Sequence, residues 1–288
     1  MPDLTIRRRS LPPVPREERN AGFFRVRDGV VDLDIEGIVR IRVASEELIE
    51  VDVLDAKRER EARLYLTGSG FGAWTYLCGR FPFHCGLVTR NGLGFALTGP
   101  SGAGKSTLTA ALVERGFGFM SDDVVVFDPG GASERIRSVS VTPSFPRMKL
   151  WQDAADHLAI RTSPLARLHQ DMDKFHVPFE PDRVVHEATL AGVFRLRFDD
   201  EREGVDCRPL ASPEALRELR SNLYRQELVP ALGLEEAAFR MILNVLQTVP
   251  VFDLSRPRDF SCFDATLDAV VAQVAAHEGS TSATTSEA

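Results

Sequence analysis

The segment Gly99–Ser106 constrains the fold of this chain most, because it reads Gly-Pro-Ser-Gly-Ala-Gly-Lys-Ser. An apolar run precedes it over residues 94–98, and apolar residues at helical spacing follow it over 107–115. Glycines let backbone amides curl around an anion without interference from a Cβ atom, and the start of a helix adds partial positive charge. The pattern therefore predicts a strand, a phosphate-binding loop of the G-x-x-x-x-G-K-[ST] type and a helix in an α/β domain.

The residue types in this loop suit a nucleoside triphosphate and its magnesium ion. Lys105 is expected to reach the β- and γ-phosphates, and the Ser106 hydroxyl is expected to bind Mg²⁺. The full set of expected phosphate-binding residues is Gly99, Ser101, Gly102, Ala103, Gly104, Lys105, Ser106 and Thr107. The alternative is a flexible turn before an ordinary helix, which leaves the complete motif unexplained.

Two adjacent acids, Asp122 and Asp123, stand between a short apolar strand and a second apolar run. Acids at a strand end beside such a loop hold magnesium or position a nucleophile in phosphoryl-transfer enzymes. One carboxylate would bind the metal while the other accepts a hydroxyl proton. A solvated turn between two strands is the alternative, and the residues alone leave both open.

His84 lies upstream of the loop, separated from it by a predicted strand over 85–89 and a turn at 90–92. A hairpin would return His84 to the phosphate-binding side only if the sheet geometry allowed it. Beside the aspartates the imidazole would tune their charge, whereas elsewhere it would be a structural histidine.

The remaining pattern predicts a β-rich segment followed by an α/β domain. Between residues 22 and 54, short β-branched runs are broken by Asp28-Gly29 and Glu36-Gly37, as in antiparallel strands. Further strands are predicted over 190–198 and up to 254, and helices over 72–80, 148–158, 213–225, 235–249 and 263–276. We expect a disordered arm over 1–20, a small β-rich lobe over 21–80, a P-loop domain over 81–276 and a disordered tail over 277–288.

Charge and cysteine content exclude several classes of protein. The formal net charge of −7 argues against a nucleic-acid partner. The four cysteines form no CxxC pair, so we expect neither a zinc site nor disulfides, but reduced thiols in the cytoplasm. No apolar run reaches the roughly 18 residues of a membrane span, so no membrane association is expected.

The region from His84 to Val126 resembles the catalytic domain of HPr kinase/phosphorylase, a family of bacterial serine kinases. That family has a histidine-glycine strand, a P-loop, a helix ending in Arg-Gly and an Asp-Asp pair. The corresponding residues here, in the same order, are His84, Gly99–Ser106, Arg115-Gly116 and Asp122-Asp123.

This resemblance implies a P-loop kinase domain whose fold is akin to that of phosphoenolpyruvate carboxykinase, unlike the common parallel-sheet P-loop NTPases. It implies ATP, or pyrophosphate in some members, together with Mg²⁺. It also implies that Asp122 is the general base with His84 close to it and that Asp123 assists the metal. Lys105, which would spread the developing charge, completes the expected catalytic residues.

A weaker echo of the family covers residues 171–178 and Arg183, similar to a basic loop near the phosphates. Lys174 or Arg183 would then stabilise transferred charge. A plain surface loop is the alternative.

The chain departs from the family at Thr107, where a glutamate is usual, and in lacking a Gly-rich signature after the acid pair. It therefore resembles more closely the divergent relatives beside peptide-modifying systems, some of which phosphorylate the C-terminal serine of lasso-peptide precursors. The expected function is transfer of the γ-phosphoryl group of ATP to a serine of a peptide or small protein. The alternatives are a kinase of small-metabolite hydroxyls and a nucleotide-dependent regulatory protein with little transfer activity. Because family members are often hexamers, a homo-oligomer is expected.

Overall fold

A computed structural model describes residues 3–128, 138–144, 148–158, 167–169, 172–177 and 183–285. The chain forms two compact units. The first comprises Met1–Phe83, Val126–Asp128 and Leu223–Ile242, and the second comprises the ranges His84–Val125, Pro129–Asn222 and Leu243–Ala288. Within the described residues, no helix is both long enough and apolar enough to cross a membrane.

The first unit is built on a five-stranded sheet with the order β1-β5-β4-β3-β2. Its strands are β1 Thr5–Arg8, β2 Phe24–Arg27, β3 Val30–Ile35, β4 Val39–Ser45 and β5 Leu48–Val53. Asp28 and Gly29 link β2 to β3 with φ angles of 51° and 76°, as a two-residue hairpin turn requires. The β-rich character predicted for residues 22–54 is confirmed.

The prediction of a disordered arm over residues 1–20 is wrong. β1 pairs in parallel with β5, and the side chains of Leu11 and Val14 are buried. The backbone amide of Leu11 donates to Asp52 Oδ2 at 2.9 Å, and that of Val14 donates to Asp34 Oδ2 at 2.9 Å. Residues 11–15 read Leu-Pro-Pro-Val-Pro, and proline has no backbone N–H. The only two amides of this stretch are therefore those of Leu11 and Val14, and the two carboxylates accept from both of them. The proline-rich composition alone had suggested disorder.

The first unit is also less contiguous than the predicted lobe over 21–80. It includes α1 Glu59–Tyr65, a π-helical turn Leu66–Gly70, α2 Phe71–Leu77, most of β6 Phe81–His84, α6 Leu228–Ala231 and the first part of α7 Glu235–Thr248. The Tyr76 hydroxyl donates to the carbonyl oxygen of Tyr224 at 2.9 Å, and Phe83 forms a β-bridge with Leu223. These contacts bring a distant chain segment into the unit, which local sequence does not reveal.

The second unit contains a mixed sheet in the order β10-β11-β15-β8-β7-β9, with β17 also paired to β15 and β16 to β17. Its members are β7 Gly86–Arg90, β8 Leu93–Thr98, β9 Gly118–Ser121, β10 Val124–Asp128 (in part), β11 Ser140–Pro143, β15 Ala188–Phe198, β16 Asp206–Pro209 and β17 Val251–Arg256. A separate three-stranded sheet consists of β12 Met148–Trp151, β13 Arg167–His169 and β14 Met172–Val177. The helices are α3 Lys105–Glu114, α4 Gln152–His157, α5 Ser212–Ser221, the end of α7, and α8 Phe263–Thr285.

The α/β class and the predicted P-loop strand and helix are confirmed. β7 runs antiparallel to both of its neighbours, β8 and β9, whereas β15 runs parallel to β8. The sheet therefore differs from the all-parallel sheet of the common P-loop NTPases, as the resemblance implied. Leu108 and Leu112 of α3 pack in one buried cluster with Leu97 of β8 and Val270 of α8.

Two helix predictions are wrong in their bounds. The segment 148–158 begins as strand β12, because pairing with β14 outweighs its helical spacing, and becomes helix only at α4. Helix α8 continues to Thr285, through most of the predicted disordered tail over 277–288. Glu278 accepts a hydrogen bond from Asn91 Nδ2 at 2.8 Å and lies 3.6 Å from Arg90 Nε, which secures this last part of α8.

The burial of the N-terminal segment gives a stability prediction. Leu11→Ala should lower the free energy of unfolding by about 2–5 kcal/mol, because it leaves a cavity in a closed site. Ile6→Ala is the matched control, since Ile6 is 47% exposed, and should change that free energy by about 0.5 kcal/mol or less. Urea unfolding of both variants measures the difference, and equally small effects would mean that the segment does not pack.

Candidate active site

The strand directions bring three sequence-predicted groups to one edge of the sheet. In the β7–β8 hairpin Gly86 pairs with Leu97, and between β7 and β9 Leu87 pairs with Ser121. The beginning of β7 therefore lies beside the ends of β8 and β9. His84 precedes β7, the phosphate-binding loop follows β8 and the acid pair follows β9, so the condition for a functional His84 is met.

The glycines of the loop adopt backbone conformations that other residues rarely reach. The φ angles are 127° at Gly99, 82° at Gly102 and 88° at Gly104. A Cβ atom on Gly99 would collide with the carbonyl oxygen of Leu196 in β15. The loop is therefore held against the neighbouring strand in a shape that leaves its amides to bind an anion.

Lys105 begins α3 and is almost fully buried, with 8% of the residue exposed. Its Nζ donates to the carbonyl oxygens of Gly99 at 2.7 Å and Pro100 at 3.2 Å. The ammonium group is thus folded over the loop that it is predicted to serve. Ser106 and Thr107 belong to the first turn of α3, whose amides point toward the loop and favour bound anions.

The acid pair differs in exposure. Asp122 is buried, with 4% of the residue exposed, whereas the Asp123 side chain is 42% exposed. Ser121 fixes the turn between β9 and β10, because its hydroxyl donates to the Val124 carbonyl at 3.1 Å and accepts from the Asp123 amide at 3.3 Å. One carboxylate therefore faces the protein interior and the other faces solvent.

His84 is anchored to Asp123. Its Nδ1 lies 2.9 Å from the Asp123 carbonyl oxygen and 3.2 Å from Asp123 Oδ1, and its backbone amide donates to the Asn222 carbonyl at 2.7 Å. A proton on Nδ1 serves these acceptors and leaves Nε2 directed elsewhere. The resemblance implied proximity to Asp122, and the structure shows the contact with the next residue, Asp123.

The charges of Lys105 and Asp123 both influence the pKa of the Cys85 thiol. Burial raises the pKa of the Cys85 thiol to about 12, while the charge of Lys105 lowers it and the charge of Asp123 raises it. Both charges therefore act on the residue next to His84. Full burial and a raised pKa disfavour the thiolate that a nucleophilic cysteine requires.

The predicted magnesium ligands are the Ser106 hydroxyl and the Asp123 carboxylate. Among the described residues, no group of three or more His, Cys, Asp or Glu side chains is arranged to hold a metal. Mg²⁺ is usually bound by one or two carboxylates together with substrate phosphates and water. The predicted ligands Ser106 and Asp123 suit that pattern.

Arg183, which belongs to the weaker family resemblance, lies at the C-terminal end of α3. Arg183 Nη1 lies 3.4 Å from the Val113 carbonyl oxygen and 3.5 Å from Glu114 Oε1, at the last turn of α3. That end is about 12 Å along the helix from Lys105, so a role for Arg183 in stabilising transferred charge is wrong. Lys174 lies in β14 opposite Trp151, and residues 171 and 178 fall outside the described part of the chain.

Sequence reasoning missed Arg256, the last residue of β17. Its Nη2 donates to the Ala103 carbonyl oxygen of the loop at 3.2 Å, and only 6% of the residue is exposed. The direction of the strands would have indicated it. Because β17 runs parallel to β15 and β15 runs parallel to β8, the last residue of β17 lies at the same sheet edge as the loop after β8.

No family model matches the chain. It is 31% identical over 134 residues to the HPr kinase/phosphorylase of Pelodictyon phaeoclathratiforme, which covers 43% of this chain and 38% of that protein. It is also 31% identical over 112 residues to the HPr kinase/phosphorylase of Chlorobium limicola, which covers 34% of each. The chain resembles the HPr kinase/phosphorylases.

The aligned part covers only 34–38% of the length of these HPr kinase/phosphorylases. The solved structure of the Hpr(Ser) kinase/phosphatase from Coxiella burnetii matches 70% of this chain and 95% of its own at 13% identity. Its TM-score of 0.35 is too low to support a conclusion. The activity of these proteins is therefore a basis for a proposal about this chain.

The collision at Gly99 predicts a specific loss of nucleotide binding. Gly99→Ala should displace the loop, weaken ATP–Mg²⁺ binding at least about tenfold and cost about 1–3 kcal/mol of stability. Gly92→Ala is the matched control, because Gly92 also has a positive φ of 77° but has open space around it. Calorimetric titration with ATP–Mg²⁺ compares them, and equal affinities would contradict the assigned role of the loop.

Proposed function

We propose that this chain is an ATP-dependent kinase that transfers the γ-phosphoryl group to a serine hydroxyl of a peptide or small protein. The observation that carries the proposal is the meeting of the phosphate-binding loop, His84 and the acid pair at one sheet edge. The similarity to HPr kinase/phosphorylases supports the same class of reaction.

In this proposal the loop and the first turn of α3 bind the phosphates of ATP through their backbone amides. Lys105 holds the β- and γ-phosphates, and Ser106 and Asp123 hold Mg²⁺. ATP supplies the phosphoryl group, and Mg²⁺ neutralises its charge. The carbonyl oxygens that now accept from Lys105 are weaker acceptors than phosphate oxygens, so the ammonium group can turn to the nucleotide at low cost.

Asp122 is the proposed general base. Its buried carboxylate accepts the proton of the serine hydroxyl as that oxygen bonds to the γ-phosphorus and the bond from phosphorus to the ADP oxygen breaks. Asp123 is more exposed and in contact with His84, which suits a metal ligand whose orientation is fixed by a neighbour. His84 is therefore proposed to position Asp123 and, through it, the metal.

The acceptor is proposed to be a peptide. Two departures from the family, Thr107 and the missing Gly-rich signature, argue against HPr itself as the substrate. The C-terminal serine of a lasso-peptide precursor is the proposed candidate acceptor. A cytoplasmic location and a homo-oligomeric state belong to the same proposal and are supported by the resemblance.

Labelled phosphate transfer from ATP to a serine-ended peptide tests the reaction, with the same peptide ending in alanine as the control substrate. Asp122→Asn should lower the transfer rate about 100- to 10,000-fold, because a base that takes the proton is lost. ATP–Mg²⁺ binding should persist in this variant. Asp123→Asn should instead raise the Mg²⁺ concentration needed for half-maximal rate.

Three outcomes would contradict the proposal. A wild-type rate for Asp122→Asn would remove the base assignment. Faster transfer to small hydroxyl metabolites than to any peptide would indicate a metabolite kinase. Slow ATP hydrolysis without transfer to any acceptor would indicate a nucleotide-dependent regulatory protein.

A further inference from the structure

Where the phosphate-binding loop leaves β8, the strands on the two sides of β8 carry different residues. The acid pair and His84 lie on the side of β7 and β9, whereas β15 and β17 lie on the other side. If the terminal phosphate of a nucleotide lies toward Asp122, the ends of β15 and β17 are on the opposite side of the loop from that phosphate. The segment that follows there is Arg256–Phe260.

Arg256 is a buried cation, with 6% of the residue exposed. It makes no ion pair with any residue in the described ranges, and the hydrogen bond of its guanidinium there runs from Nη2 to the Ala103 carbonyl oxygen at 3.2 Å. Burial lowers the pKa of its guanidinium, because taking a charge out of water disfavours the charged form. A buried charge is normally matched by an opposite charge, and the loop that it touches is built to bind an anion.

The surroundings of Arg256 keep it at the loop. A Cβ atom on Gly104 would lie 2.5 Å from Arg256 Nη2, so the glycine makes room for the guanidinium. The Phe198 and Phe263 rings lie 5.0 Å and 5.9 Å from the guanidinium carbon. Aromatic faces hold the cation in place and leave its donors for an oxyanion.

The following residues add a second cation and an exposed ring. The guanidinium of Arg258 lies 4.4 Å from the Phe198 ring centre and makes no ion pair with any residue that the structure describes. Phe260 is 45% exposed, and its ring packs on that of His157 at 4.4 Å. An exposed aromatic ring beside cationic groups is the arrangement on which nucleic-acid bases stack.

We propose that the segment Arg256–Phe260 binds the nucleoside end of the nucleotide, with Arg256 on a phosphate oxygen and the Phe260 ring against the base. This inference rests on the proposed ATP-dependent function. It assigns the base and the phosphate to different residues, which allows each contact to be tested separately.

The base contact is tested with Phe260→Ala and two ligands, ATP–Mg²⁺ and tripolyphosphate–Mg²⁺, by isothermal titration calorimetry. The dissociation constant for ATP should rise about tenfold, and that for tripolyphosphate should stay unchanged, since tripolyphosphate has no base to stack. Phe239→Ala is the control, because Phe239 is 50% exposed and lies in the first unit. An unchanged ATP affinity, or an equal loss for both ligands, would overturn the base contact.

The phosphate contact is tested with Arg256→Met, which keeps the volume and removes the charge. Both dissociation constants should rise about 10- to 100-fold, as expected for a lost hydrogen bond to a charged group. Arg217→Met, at an exposed arginine of α5, is the matched control.

Thermal unfolding separates a ligand-binding role from a structural one. Without nucleotide, Arg256→Met should melt at or above the wild-type temperature, because a buried unmatched charge has been removed. A clearly lower melting temperature would show that Arg256 only braces the loop. If the wild-type protein binds neither ligand, the proposed function fails; if it binds both and the variants match it, this inference alone fails.

Discussion

The site depends on the position of β8 between two strands of opposite direction. The tight turn at Asn91 and Gly92, with φ angles of 52° and 77°, sends β7 back along β8. His84, two residues before β7, therefore lies near the point where the loop leaves β8. The parallel strand β15 on the other side shapes the loop itself, since a side chain at Gly99 would strike the Leu196 carbonyl. One strand arrangement thus places both His84 and the loop proposed to bind phosphate.

The charges at this edge are held by backbone atoms as much as by one another. Lys105 donates to two loop carbonyls, and Arg256 donates to a third. A carbonyl oxygen orients a cation without neutralising it. Lys105 and Arg256 therefore keep their attraction for phosphate oxygens while they are held beside the loop, so a small movement of the side chain suffices when an anion binds.

Local sequence was sufficient for the parts of the fold that are local. The loop Gly99–Ser106 and its flanking strand and helix follow from a contiguous motif, and the hairpins of residues 22–54 follow from their turns. The N-terminal segment was misjudged because its prolines suggest disorder, while the carboxylates of Asp34 and Asp52 that satisfy it lie in other strands. Likewise, Glu278, beyond the predicted end of α8, contacts Arg90 and Asn91, which lie far away in the sequence.

The candidate site also has one part set by local sequence and one part set by pairing between distant strands. The side with His84, Lys105 and the acid pair comes from one stretch of chain, residues 84–123, so motif order alone predicted its members. The side with Phe198 and Arg256 comes from the ends of β15 and β17, which meet the loop only through strand pairing. In the proposed arrangement, the ring that contacts the base, Phe260, follows β17, whereas the groups proposed for phosphoryl transfer lie within residues 84–123. The proposed base contact and the proposed chemistry therefore come from separate stretches of chain.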